Sequence, residues 1–142
     1  MDVAKVLKDA WQAVQDSGTK LARETEVRRE RLEDIVHLED GVPKTAINSK
    51  RLPSGKKFAQ LFIARVILTA RHVWLDEAET PFGEVRAECE RYGVYDGNFA
   101  AYMKGIDDAG LTRTGSGQSL KAKVRKNYIS GFGDFLNQTL GE

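Results

Sequence analysis

The stretch from residue 95 to residue 124 constrains the fold most, because signals for a helix and for a β-hairpin follow each other directly there. Asp96 suits the N-cap of a helix and Gly110 suits its end. The apolar residues between them recur at helical spacing: Phe99, Tyr102, Met103 and Ile106. The pattern therefore predicts a helix over residues 96–108.

A β-hairpin is predicted directly after this helix. Residues 111–114 and 119–124 alternate apolar and polar side chains, as half-buried strands do. The run Gly115-Ser116-Gly117 between them supplies a tight turn. We call the turn and second strand of this hairpin, residues 115–124, the wing.

A second short helix is predicted just before this stretch. Thr80 and Pro81 form a helix start, because proline is tolerated at the first helical position. Gly93 can adopt the left-handed conformation that ends a helix. The intervening apolar residues lie on one face: Phe82, Val85, Cys89 and Tyr92. A short glycine-containing break between two such helices has the spacing of a helix-turn-helix.

The longest apolar helix is predicted over residues 55–75, with Ser54 as its N-cap. Its principal stripe comprises Phe58, Leu61, Phe62, Arg65, Val66 and Thr69, and Ile63, Ile67 and Leu68 widen it. A helix that is apolar over most of its circumference lies in the core. A closing helix is predicted over residues 127–140, and Gly131 and Gly133 weaken it by roughly a kcal/mol each.

Residues 1–36 are predicted to form an N-terminal helical pair, with an amphipathic helix over 2–16 and a second helix over 21–36. In the second helix Arg29 and Glu33 are spaced to pair. Its apolar positions are sparse, which suits a peripheral helix, an arm of a helical hairpin, or a dimer contact. Residues 37–53 form a basic linker loop in which Asp40-Gly41 is a strong signal for a short hairpin.

In this order of elements, residues 80–124 resemble the winged helix-turn-helix superfamily, with residues 58–75 as its first helix. The resemblance is one of pattern and covers about half of the 142 residues. The expected fold is mainly α with a small β-hairpin wing. Its expected parts are the helical pair (1–36), which could be an oligomerisation arm, the basic linker (37–53), and a winged helix-turn-helix domain with a C-terminal helix (54–142).

The resemblance implies a non-enzymatic, regulatory DNA-binding protein. Residues 96–108 would be the recognition helix, with Gly97, Asn98, Ala101, Lys104 and Gly105 facing outward. Asn98 could contact adenine, and Lys104 guanine or a phosphate. The wing and its flanks would contact the backbone or minor groove through Arg113, Gln118, Lys121, Lys123, Arg125 and Lys126. Lys56 and Lys57 would add phosphate contacts from the linker side.

The charges are segregated along the chain although the net charge is only +1. Residues 41–75 carry seven bases and no acid, residues 76–108 carry nine acids and three bases, and residues 109–133 carry five bases and no acid. Such segments can form polarised surfaces or can pair with each other in the fold. The acidic helix-turn-helix also favours an alternative function, an adaptor that grips a basic protein partner through Asp76, Glu77, Glu79, Glu84, Glu88 and Glu90.

An enzyme is not expected. Cys89 lies on an apolar helix face, where a structural thiol is more common than a nucleophile. The pairs Glu33–His37 and His72–Asp76 have helical spacing but no accompanying cysteine cluster, so neither a metal nor a cofactor is predicted. One cysteine, a charged start and the lack of an apolar run of about 18 residues suit a cytoplasmic protein.

Overall fold

The N-terminal helical region is interrupted in the computed structural model, which describes residue 4 and residues 19–106, 110–115 and 119–141. Residues 19–25 (α1) are helical, Glu26 has a φ of 58°, and α2 spans Arg29–Glu33. The predicted continuous helix over 21–36 is therefore wrong, because the chain turns at Glu26 and becomes a strand at Val36. The predicted helix over 2–16 lies outside the described residues, except for residue 4.

Residues of this region nevertheless belong to the main core. Leu21 and Ile35 are each 1% exposed, and Leu32 is 3% exposed. The predicted pair of Arg29 and Glu33 is confirmed, with Nε of Arg29 donating to Oε1 of Glu33 at 3.1 Å. The sparse apolar positions of residues 21–36 thus belong to short segments, each of which is buried on one side.

The hairpin predicted at Asp40-Gly41 is confirmed. Strands β1 (Val36–Glu39) and β2 (Val42–Thr45) pair antiparallel, with Glu39 opposite Val42. Asp40 has a φ of 53° and Gly41 a φ of 77°, so both turn residues are left-handed. Two-residue turns of this kind match the twist of the flanking strands. A short 3-10 turn, Ser49–Arg51, follows the hairpin.

Helix α3 (Lys56–Leu75) is the central core helix, as predicted, and eleven of its residues are buried. Its N-cap is Gly55, which has no capping side chain, so the prediction of Ser54 as N-cap is wrong. Phe58 is 58% exposed and was wrongly predicted in the core. The length and hydropathy of α3 would also suit a membrane span, but 61% of its apolar window is buried inside the protein.

Strand β3 (Glu79–Pro81) precedes helix α4 (Phe82–Arg91), and α5 (Phe99–Lys104) follows it. Pro81 is therefore a strand residue and the N-cap of α4, not its first helical residue as predicted. The left-handed Gly93 ends this helical region as predicted, with a φ of 73°. Asp96 does not cap α5: its Oδ1 accepts the Asn98 N–H at 3.0 Å, in a turn that precedes the helix.

The predicted C-terminal hairpin is confirmed, with β4 at Leu111–Thr114 and β5 at Lys121–Val124. Together with β3 it forms an antiparallel three-stranded sheet in the order β3-β5-β4. The predicted closing helix is divided at Gly131 into α6 (Lys126–Ser130) and α7 (Phe132–Leu140). The described fold is thus mixed, with short helices and two small antiparallel sheets around α3.

Candidate nucleic-acid interface

Strand β5 separates apolar from basic side chains. Ala122 and Val124 are buried against the core, whereas Lys121 and Lys123 are exposed on the outer face of the sheet. Among the described residues, no carboxylate pairs with either of these lysines. The alternation places both ammonium groups of the strand on the solvent side.

One acid shares this outer face. Glu79 of β3 lies opposite Lys123 in the register, and its Oε1 accepts a hydrogen bond from Oγ1 of Thr114 at 3.3 Å. Thr114 belongs to the strand on the other side of β5, so the Glu79 side chain reaches across the strand that carries the lysines. Glu79 therefore reduces the positive charge of this face without forming an ion pair with Lys123.

Arg113 lies on the opposite side of the sheet from the lysines. Its neighbour in the register is the buried Ala122, and its Nη1 donates to carbonyl oxygens of α5 and the residues after it. These acceptors are the carbonyls of Met103, Lys104 and Ile106. A cation at a helix C-terminus is favoured by the helix dipole. Arg113 therefore holds the hairpin against the end of α5.

Downstream of the wing, Arg125 and Lys126 are exposed. Nη2 of Arg125 donates to Oγ1 of Thr112 at 2.7 Å, which places its guanidinium beside the sheet. Lys126 is the first residue of α6 and lines an open cleft of about 400 Å³ together with Lys20, His72 and Asp76. Gln118, which was predicted in the wing, lies outside the described residues.

Helix α5 presents few groups that could read bases. All the predicted outward positions are exposed, namely Gly97, Asn98, Ala101, Lys104 and Gly105. Asn98 and Lys104 are six residues apart, which rotates them by about 120° from each other on a helix with 3.6 residues per turn. The helix therefore exposes a small apolar surface between its two polar candidates.

Lys56 and Lys57 form a second exposed basic site, apart from the wing. The start of α3 lies beside the turn after α4, because Nε2 of Gln60 donates to the Val94 carbonyl at 2.8 Å. The start of β5 lies at the opposite end of α4, where the Phe82 N–H donates to the Leu120 carbonyl at 3.1 Å. The start of α3 and the start of β5 therefore lie near opposite ends of the ten-residue helix α4.

The acidic residues between residues 76 and 90 are largely paired within the protein. Arg71 contacts Glu77 at 2.8 Å and Glu84 at 3.5 Å, and its hydrogen bond with Glu77 raises the pKa of Arg71. Asp76 contacts Lys20 at 3.4 Å, and Glu90 contacts Arg86 at 2.8 Å. Pairing across charge segments therefore accounts for part of the segregation in the sequence.

The sequence predicts Glu88 on the acidic surface, and this prediction is wrong because Glu88 is 4% exposed. Its carboxylate accepts hydrogen bonds from the Thr45 N–H at 2.6 Å and from Nε of Arg91 at 2.6 Å. The hydroxyl of Tyr92 also donates to the Thr45 and Ile47 carbonyls. These hydrogen bonds attach the end of β2 to α4 and the residue that follows it.

An apolar cleft of about 390 Å³ opens between α4, α5 and the start of β5. Its charged lining residue is Arg86, whose guanidinium lies 4.6 Å from the centroid of the Tyr95 ring. The remaining lining residues are Phe82, Gly83, Tyr95, Gly97, Phe99, Ala100, Met103 and Leu120. Sequence patterns did not indicate this cleft, because its walls come from three separate elements.

The residues considered for catalysis or metal binding have other contacts. Burial raises the pKa of the Cys89 thiol to about 12, as expected for a structural cysteine. His72 places Nδ1 3.0 Å from the Glu77 carbonyl, and Nε2 of His37 lies 3.6 Å from Oε2 of Glu39. Within the described ranges, no group of three or more His, Cys, Asp or Glu residues is arranged to hold a metal ion.

Comparisons of the chain with protein-family models, with curated proteins and with solved structures found no match, so the assignment of a function rests on the geometry above.

Proposed function

We propose that residues 56–124 form a winged helix-turn-helix and that the protein is a non-enzymatic, regulatory nucleic-acid-binding protein, with double-stranded DNA as its ligand. The order of elements supports this fold: helix α3, strand β3, helices α4 and α5, then strands β4 and β5. Because β3 pairs with β5, the hairpin is anchored beside the two short helices, as a wing must be.

The observation that carries the proposal is the pair of exposed lysines on β5. Lys121 and Lys123 project from one strand that is paired on both sides, in a stretch of 25 residues (109–133) that contains five bases and no acid. Phosphate contacts supply most of the affinity of proteins for DNA, whereas few side chains set specificity. The exposed surface of α5 is mainly apolar and offers few groups for direct base contacts. This agrees with an interface whose affinity comes mainly from phosphate contacts.

Lys56 and Lys57 are a second set of phosphate ligands in this proposal. They lie near the end of α4 that is away from β5. In this proposal a duplex that runs along α4 contacts both basic sites. Arg113 contributes by fixing the hairpin rather than by contacting phosphate, since carbonyls at the end of α5 hold its guanidinium.

The test is the double variant Lys121→Gln plus Lys123→Gln, titrated with random-sequence duplex DNA at several salt concentrations. Each phosphate contact contributes about 0.9 to the slope of log K against log [salt], so loss of two should reduce the slope by nearly 2. Lys44→Gln, on the other hairpin, is the matched control and should keep the wild-type slope. An unchanged slope and affinity in the double variant would remove β5 from the interface.

The apolar cleft favours a second candidate function, a protein-interaction adaptor. Exposed apolar concavities mark sites where proteins bind other proteins. The intramolecular pairing of the acidic residues makes this cleft, rather than the acidic surface, the stronger basis for that function. Ala100→Arg would fill the cleft from an exposed lining position. If Ala100→Arg abolishes the co-purification of a protein partner and leaves duplex binding unchanged, the adaptor is favoured. If Ala100→Arg weakens duplex binding and leaves co-purification unchanged, DNA binding is favoured.

A further inference from the structure

Phe58 is the most exposed large apolar side chain of the described protein, at 58%. It lies in the first turn of α3, where the apolar stripe of the sequence predicts a core position. The neighbouring residues Ala59 and Phe62 are 2% and 1% exposed, so the helix is well packed from the next residue onward. The Phe58 ring is therefore exposed to solvent, although the residues around it are buried in the core.

The surroundings of this ring are basic. Nζ of Lys57 lies 5.8 Å from the centroid of the Phe58 ring, and Lys56 begins the same helix. The 3-10 turn that precedes α3 in the chain also contains Lys50 and Arg51. Residues 41–75 contain no acid, and in the part of the chain that the structure describes no carboxylate pairs with Lys56 or Lys57. An exposed aromatic ring thus lies within a surface that attracts anions.

We propose that Phe58, with Lys56 and Lys57, forms a stacking platform for an unpaired base of a single-stranded nucleic acid. The inference rests on the proposed nucleic-acid-binding function and adds a substrate class and a residue to it. Every base has a flat π face that can stack on an aromatic ring, and the phosphates beside it can contact the lysines. Stacking on one ring raises affinity by about five- to a hundred-fold.

An intact duplex does not fit the ring as well, because its bases already stack on each other and expose only their edges in the grooves. A membrane surface fits less well too. Anchoring in a lipid interface requires an amphipathic face with a broad apolar side, and α3 buries most of its apolar side in the core. A single ring among lysines is instead the combination that proteins use to hold unpaired bases.

The experiment compares two fluorescent probes by anisotropy: a 15-nucleotide oligothymidylate and an abasic deoxyribose-phosphate strand of the same length and charge. The wild-type protein should bind the thymidylate strand at least five-fold more tightly. Phe58→Ala should bind both strands equally, and Phe58→Trp should restore the preference. Because Phe58 is more than half exposed, both variants should keep the wild-type melting temperature.

Two further variants separate stacking from charge. Leu75→Ala, at the other end of α3 and 37% exposed, is the matched control and should keep the preference for bases. Lys56→Gln plus Lys57→Gln should keep that preference but reduce the salt slope by about 1.4, at about 0.7 for each single-strand contact.

The platform is overturned if the wild-type protein binds both strands equally, or if Phe58→Ala keeps the preference. Duplex binding that depends on Lys121 and Lys123 would then leave the proposed function standing. Absence of binding to every oligonucleotide at low salt would overturn both. Retention on phosphatidylserine vesicles that requires Phe58, without a preference for bases, would assign the surface to membranes instead.

Discussion

Replacing Glu88 should weaken the attachment of the first hairpin to α4. Oε1 of Glu88 accepts the Thr45 N–H at 2.6 Å and Nη2 of Arg91 at 2.9 Å, while Oε2 accepts Nε of Arg91 at 2.6 Å. One buried carboxylate therefore joins the last residue of β2 to the end of α4. Glu88→Ala removes all three hydrogen bonds, whereas Glu88→Gln keeps an oxygen for the Thr45 N–H but loses the charge.

The expected loss follows from these contacts. Breaking a buried ion pair costs about 3–5 kcal/mol, but the Arg91 side chain is 46% exposed and can return its charge to water. The Thr45 N–H remains buried without its acceptor, which costs about 1–3 kcal/mol. We therefore expect Glu88→Ala to lower the free energy of unfolding by about 2–3 kcal/mol, and Glu88→Gln by about half as much.

The same carboxylate makes this loss depend on pH. Burial by itself raises the pKa of Glu88, but the hydrogen bonds from Arg91 and the Thr45 backbone outweigh it, so the pKa lies below the ordinary 4.5. A depressed folded-state pKa contributes stability that is complete above the unfolded-state pKa and is lost as the pH falls through the folded value. The difference between wild type and Glu88→Gln should therefore be constant near neutral pH and shrink below about 4.5.

The assay is urea unfolding followed by circular dichroism at pH 7.0, 5.5 and 3.5, with Glu90→Gln as the control. Glu90 is on the same helix, but its partner Arg86 is exposed, so no measurable change is expected. A loss below about 0.5 kcal/mol for Glu88→Ala, within the range of ordinary surface substitutions, would refute the reasoning. So would a difference between wild type and Glu88→Gln that stays constant down to pH 3.5.

Two further predictions concern packing. Gly110→Ala should lower the free energy of unfolding by about 1–3 kcal/mol through overpacking, because a Cβ there would lie 2.6 Å from Cβ of Tyr128. Gly83→Ala should stabilise α4 by about 0.5–1 kcal/mol, because a Cβ at that position would meet nothing within 4 Å. Thermal melts that rank the two variants in the opposite order would contradict the packing at Gly110. Cys89, with a pKa of about 12 and no exposure, should react with a thiol reagent only as fast as the protein unfolds, and rapid labelling of the native protein would contradict its burial.

Several elements could be predicted because their signals are local. The Asp40-Gly41 turn was predictable, since both residues must be left-handed and these residue types tolerate that conformation. The division between α4 and α5 followed from Gly93, and the C-terminal hairpin from alternation around a glycine turn. The alternation also predicted the outward direction of Lys121 and Lys123, because side chains of a strand point to opposite faces in turn.

Other features depend on contacts between distant parts of the chain. Strand β3 has three residues and exists because β5 pairs with it, so no periodic signal marks it. Helical spacing placed Phe58 in the core, but the core begins one residue later, and the ring remains in solvent. The acidic character of Glu88 predicted a surface position, but Arg91 and the Thr45 N–H compensate the cost of burying its charge.

Apart from strand β3 and the break at Gly131, the sequence by itself determined the order of the helices and the C-terminal hairpin after residue 54, because periodicity and glycine turns act within a few residues. Only the tertiary structure decided which basic side chains are available to a ligand. Arg113 and Lys121 lie close together in the sequence, yet one is held at the end of α5 and the other projects from the sheet. The reason is physical: a side chain's neighbours are set by how separate elements pack, and this packing is not encoded in any short stretch.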